Sequence, residues 1–137
     1  MVNEGARAYR QLNVSTSVED ASPHELIQMM FDGALARLSR ARGCLEHGDI
    51  EGRAQALDST LAIVAGLQAS LDQARGGALA ENLDALYDYM QRRLFRAIAD
   101  QDGVAIDEVA DLLRTLKDAW SAIEADAIAS THEAAQV

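Results

Sequence analysis

Apolar residues recur at helical spacing along most of the chain, and nowhere do they alternate with the period of two that marks a strand. The first stripe is Ile27, Met30, Phe31, Ala34, Leu38, Ala41 and Leu45, and it predicts a helix from about Pro23 to Glu46. Ser22 stands at the N-cap position, Pro23 occupies the first helical position, and Glu25 completes a capping box. His47-Gly48-Asp49 then turns the chain, with Gly48 a C-cap candidate and Asp49 the next N-cap. A second helix is predicted from about Ile50 to Arg75, on the stripe Ile50, Ala54, Leu57, Leu61, Val64 and Leu71. Gly76-Gly77 ends it, because two glycines permit the left-handed geometry of a tight reversal. A third helix, from about Leu79 to Ala99, turns Leu79, Leu83, Leu86, Met90, Leu94 and Ala97 to the core, with Tyr87 and Ile98 at one edge. Asp100-Gln101-Asp102-Gly103 is a polar turn. The fourth helix runs from about Val104 to Ala127 on Val109, Leu112, Leu113, Leu116, Trp120 and Ile123, with Trp120 assigned to the core.

Four long helices joined by short turns imply neighbours that run in opposite directions. The predicted fold is all-α, an antiparallel up-down four-helix bundle over residues 22–127. Residues 1–21 form an N-terminal arm and connection, with a short helix or turn around Ala8, Tyr9 and Leu12 capping the bundle. Residues 128–137 are small and polar and are expected to fray.

Some apolar residues are left over once each stripe has been assigned. Ala56, Ile63 and Leu67 widen the second helix's stripe to nearly half its circumference, whereas a bundle helix needs only about a third. The extra width requires a second neighbour, either another part of this chain or a partner. Tyr89 and Phe95 each fall roughly 120° from the centre of the third stripe, on opposite sides. Met29 lies on the polar side of the first helix, as a surface methionine or as part of a second contact surface. Tyr9 is an aromatic in an otherwise polar arm, which it pins to the body. Arg92-Arg93 lie outside the third stripe and read as a solvated pair.

Charge and composition narrow the function. With 137 residues and a formal net charge of -10, the chain lacks the basic face that nucleic acid or an anionic membrane demands. No secretory signal or membrane-length apolar run is present, so a cytoplasmic location is expected. A single cysteine, Cys44, rules out an internal disulfide framework and reads as a small apolar filler. His24, His47 and His132 sit at a helix start, a turn and the tail, and none completes a Glu-x-x-His or H-E-x-x-H pair. No nucleophile elbow, phosphate loop or carboxylate pair within an apolar stripe occurs. No metal, no cofactor and no catalysis are therefore expected, and surplus apolar surface on a helical scaffold points to binding a peptide or helix.

Several segments resemble one family. They are Ala8-Tyr9-Arg10-Gln11, then Ala21-Ser22-Pro23-His24-Glu25-Leu26-Ile27 leading to Met30-Phe31-Asp32-Gly33-Ala34, and further on Gly76-Gly77 and Ala80-Glu81-Asn82-Leu83. Leu86-Tyr87-Asp88-Tyr89-Met90, Arg92-Arg93-Leu94 and Asp118-Ala119-Trp120 complete the set. In this order and spacing, across about residues 5–123, they resemble the FliS-type flagellar secretion chaperones. The resemblance implies a cytoplasmic four-helix bundle with no catalysis and no cofactor. It would bind the disordered C-terminal segment of flagellin, prevent premature polymerisation, and aid delivery to the export gate of the flagellar type III apparatus. It also implies that the arm, with Tyr9, lies over the groove until flagellin displaces it. Ala6 stands where some members carry isoleucine, so weaker anchoring of the arm is expected. The expected contact residues are Tyr9, Met29, Ala56, Ile63, Leu67, Tyr89 and Phe95. The alternative is a scaffold or regulatory bundle that binds another helical partner, with a metal-dependent bundle enzyme a distant third.

Overall fold

A computed structural model of the chain describes residues 20–122. They form four helices, and among the described residues there is no strand. The helices are α1 (Pro23–Glu46), α2 (Ile50–Ala69), α3 (Gln73–Ala99) and α4 (Gly103–Ala122). The arm with Tyr9, Ile123 and the remainder of the predicted fourth helix, and the tail all lie outside the described residues.

The ends of α1 follow from its sequence. Ser22 Oγ accepts from the Glu25 N–H at 3.2 Å, and Glu25 Oε1 accepts from the Ser22 N–H at 3.1 Å. The bond from the Ser22 N–H, with help from the Ser22 side chain, holds the Glu25 carboxyl below its usual 4.5. At the other end Gly48 takes φ 72°, the left-handed conformation that costs a residue with Cβ. This lets the Asp49 N–H reach Cys44 O at 2.9 Å and the Gly48 N–H reach Leu45 O at 3.3 Å, the two bonds of a Schellman end. Asp49 then accepts from the Gly52 N–H at 2.9 Å, so α2 begins at once.

The junction of α2 and α3 differs from the sequence prediction. α2 stops at Ala69, short of Arg75. The Ser70 hydroxyl donates to Leu67 O at 2.6 Å, and Asp72 caps a new helix by accepting from the Arg75 N–H at 3.3 Å. Short polar side chains here bond to the backbone in competition with helix continuation. The glycine pair lies inside α3, where Gly77 makes a kink at φ 56°, ψ −134°. That kink resets the helix phase, so Ala80 is buried while Leu79, expected in the core, is 52% exposed.

Each helix packs on two others: α1 on α2 and α4, and α3 on α2 and α4. Gln28, near the start of α1, donates to Ser121 Oγ near the end of α4 at 2.5 Å, while Arg42 near the end of α1 lies 3.5 Å from Asp107 near the start of α4. Likewise Arg53, early in α2, donates to Ile98 O late in α3 at 3.2 Å, and Gln68, late in α2, donates to Asp84 Oδ1 at 3.0 Å. The interior contains Ile27, Met30, Phe31, Leu38, Leu57, Val64, Met90, Leu94, Ile106, Val109 and Leu113. Trp120 joins it, with its indole N–H donating to His24 O at 3.1 Å and its ring 5.2 Å from the His24 ring.

The phase of α2 requires a correction. Ala56, Ile63 and Leu67, expected on an outer flank, are at most 1% exposed and belong to the core. Ile50, expected in the stripe, is 62% exposed, and Leu61 is only half-buried. The extra apolar width serves the two neighbours α1 and α3 within this chain. Thr60 marks the true centre of the buried face: its side chain is fully buried and its hydroxyl donates to Ala56 O at 2.8 Å. A polar residue satisfied within its own helix sits in a core at low cost, and hydrophobic periodicity alone does not count it.

Candidate partner-binding surface

Among the described residues no three His, Cys, Asp or Glu side chains gather where a metal ion could be held. No helix there is long and apolar enough to cross a membrane. The candidate site is therefore the set of apolar side chains that the bundle leaves in water. The large ones are Ile50 at 62%, Leu79 at 52%, Phe95 at 65% and Val104 at 74% exposure.

Phe95 lies at the α2–α3 seam. It follows by one turn Gln91, whose amide donates to Gln68 Oε1 on α2 at 2.7 Å, and it precedes by one turn Ile98, whose carbonyl accepts from Arg53. Ile50 comes one turn before that same Arg53, so the Arg53–Ile98 bond brings Ile50 and Phe95 to one end of the seam. Further along, the outward side of α2 exposes Glu51, Gln55 and Asp58 and then the small residues Ala65 and Ala69. Exposed alanines let a second helix approach closely, while Phe95 projects as an anchor.

Tyr89 has a different role. It is half-buried, and its hydroxyl donates to Glu108 Oε2 of α4 at 2.8 Å. Arg93, one turn on, donates from Nε to Glu108 Oε1 at 2.7 Å and lies 3.7 Å from Asp102. These bonds from Tyr89 and Arg93 hold the Glu108 carboxyl below its usual 4.5, and the same bond raises the Tyr89 phenol. Arg93 is thus a tie between α3 and α4, whereas Arg92 pairs locally with Asp88, so the pair is not simply solvated. Asp102 also caps α4 by accepting from the Ala105 N–H at 3.0 Å, which joins the cluster to the start of that helix.

Of the residues expected from sequence, Phe95 is exposed, Met29 and Tyr89 are half-buried, and Ala56, Ile63 and Leu67 are interior. Met29 packs against the core from the edge of α1. Tyr9 lies outside the described residues. Ile50 was missed as a surface residue. Its signal was its place immediately after the capping Asp49, in a first turn that starts before the partner helix covers it. Val104, the first residue after Gly103, had no stripe to assign it and gave no signal of its own.

Residues 5–127 match the family model described as Flagellar protein FliS. The chain is 48% identical over 120 residues to the flagellar secretion chaperone FliS of Salmonella typhimurium, covering 87% of this chain and 89% of that one. It is 41% identical over 117 residues to the flagellar secretion chaperone FliSB of Pseudomonas aeruginosa, covering 85% and 93% respectively. The Bacillus subtilis flagellar secretion chaperone FliS is 33% identical over 113 residues, covering 82% and 80%. A chain that matches this family model over residues 5–127, is 48% identical to a curated relative over 87% of its length, and forms four helices in its described residues belongs to the FliS family of flagellar secretion chaperones.

Proposed function

We propose that this chain is a non-catalytic, cytoplasmic chaperone that binds the disordered C-terminal segment of flagellin, keeps it from polymerising early, and delivers it to the flagellar export gate. The observation that carries the reading is Phe95, a large aromatic 65% exposed at the end of a seam shared with Ile50. Exposed aromatic anchors beside apolar neighbours are characteristic of binding surfaces. A segment that folds on binding must bury a large apolar area to offset its ordering cost, and Ile50 and Phe95, with Ala65 and Ala69 further along α2, offer apolar surface toward it. The head-to-tail pairings at the helix ends support an antiparallel up-down arrangement, which keeps the interior closed while the outer seams stay available. The partner helix therefore lies on the outside of the bundle, along the α2–α3 seam.

In this reading the arm with Tyr9 covers apolar surface until flagellin displaces it. Titration of a flagellin C-terminal peptide, followed by calorimetry and circular dichroism, tests the proposal. Binding should bring a gain of helix, a negative heat-capacity change and weak dependence on salt, because the contact is apolar. Absence of binding would leave the scaffold for another helical partner as the better reading. A truncation lacking residues 1–12 should keep its helix content and bind more hydrophobic dye, and unchanged dye binding would remove the lid from the account.

A further inference from the structure

Arg53 is a cation held inside the bundle. It stands near the start of α2, is 4% exposed, and leans toward the beginning of that helix, as helical side chains do. Its guanidinium donates from Nη2 to Ile98 O at 3.2 Å, while its Nε is buried with no partner among the described residues. Nη1 likewise has no partner there but is not sealed from water. Among the described residues no carboxylate pairs with Arg53 either. A buried charge is costly unless groups of opposite sign face it. Here they are the closing carbonyls of α3, which carry the negative end of that helix. Ile98 O occupies one of the guanidinium's N–H groups, so the cation is short of acceptors. It also lies where a docked helix would pass. Ile50 comes one turn before it on α2, and Phe95 comes one turn before Ile98 on α3.

On the reading that flagellin's C-terminal segment lies along the α2–α3 seam, we propose that Arg53 fixes the direction of the docked helix. It takes free carbonyls from that helix's last turn, as it already takes one from α3. The docked helix then ends beside Ile50 and Phe95 and starts toward Ala65 and Ala69, parallel to α3 and antiparallel to α2. In this sense its negative end meets the guanidinium and the positive start of α2. The closing carbonyls of α3 oppose it, and the Arg53 cation between the two sets offsets that repulsion. The reverse sense would aim the helix's first N–H groups, all donors, at a buried group that can only donate. The exposed acids Glu51 and Asp100 favour the reverse sense, but they stand in water, where such attraction is weak. Asp49 is engaged by the Gly52 N–H, and Asp102 by Arg93 and the Ala105 N–H.

The test uses the isotope-labelled full chain and a flagellin C-terminal peptide that carries a nitroxide at one position at a time. Paramagnetic broadening shows which backbone amides each nitroxide approaches. The position that broadens Ile50 and Ala99 should lie C-terminal, in the peptide, to the position that broadens Ala65 and Ala69. The opposite order would overturn the proposal and leave flagellin binding at the seam intact. Arg53→Met keeps the apolar stem and removes the donors, so it should weaken the peptide by roughly tenfold or more. Arg53→Lys restores a cation for the helix end and should recover most of that loss. Circular dichroism checks the fold of both variants, and the nitroxide order in the parent decides the matter if Arg53→Met does not fold. Equal affinity for a folded Arg53→Met would overturn the proposal. So would a loss that Arg53→Lys shares in full, which would leave Arg53 a tie between α2 and α3 alone. No binding to the parent would overturn flagellin as the partner and this direction with it.

Discussion

Ile63 separates a closed interior from a groove on α2. Its side chain is 0% exposed within the core cluster. Ile63→Ala removes three buried carbons and leaves a cavity, which in well-packed interiors costs about 2–5 kcal/mol. A domain of this size has roughly 5–15 kcal/mol of total stability, so the variant should remain folded but weakened. With a urea slope of about 2 kcal/mol/M, the midpoint should fall by roughly 1–2.5 M without a change in slope. Ile63→Asp buries an unpaired carboxylate instead and should unfold the bundle. Phe95→Ala is the comparison: an exposed residue whose truncation should change stability by about 0.5 kcal/mol or less. The assay is urea unfolding followed by circular dichroism at 222 nm (the helical band) at neutral pH for all three proteins. A midpoint for Ile63→Ala within error of the parent would return Ile63 to the surface and refute the packing of α2 described above.

Two further outcomes follow from the polar contacts. Trp120→Phe should cost about 1 kcal/mol, mainly through the lost N–H bond to His24 O, and a midpoint equal to the parent's would show that bond to be without weight. Hydrogen bonds from Tyr89 and Arg93 depress the folded pKa of Glu108. A depressed carboxyl pKa adds stability that is present above the ordinary value of 4.5 and lost as pH falls through the folded one. The urea midpoint of the parent should therefore fall more steeply below pH 4.5 than that of Glu108→Gln, by a small margin because the site is solvated. Parallel pH profiles would contradict the tie between α3 and α4.

The sequence announces the helices wherever a local signal and the packing agree. Ser22, Pro23 and Glu25 fix the start of α1, and Gly48 with Asp49 fixes the reversal into α2, because each acts within a few residues of itself. The α1 stripe also survives into the core from Ile27 to Ala41. The phase of α2 was not legible, since it depends on Thr60 being satisfied internally and on which neighbours α1 and α3 turn out to be. The break at Ser70 was hidden because Leu71 continues the helical spacing beyond it. These two failures misplaced the candidate site. Once the buried arc of α2 is rotated toward Thr60, Ile63 moves inside and Ile50 moves out. Phe95 was legible because it lies far from any apolar stripe and no neighbour covers it.

The central claim is that flagellin's C-terminal segment binds outside a closed bundle, on the seam marked by Phe95 and Ile50. The most direct measurement is calorimetric titration of the flagellin C-terminal peptide into the parent and into Phe95→Asp, with unfolding curves for both. Covering the exposed part of the ring removes ~100 Å² of apolar surface, worth about 2–3 kcal/mol at ~25 cal/mol/Å². Phe95→Asp adds a desolvated charge to that loss, so the affinity should fall by at least roughly fiftyfold while the urea midpoint stays at the parent value. Equal affinity for two equally stable proteins would contradict the claim and move flagellin off the α2–α3 seam.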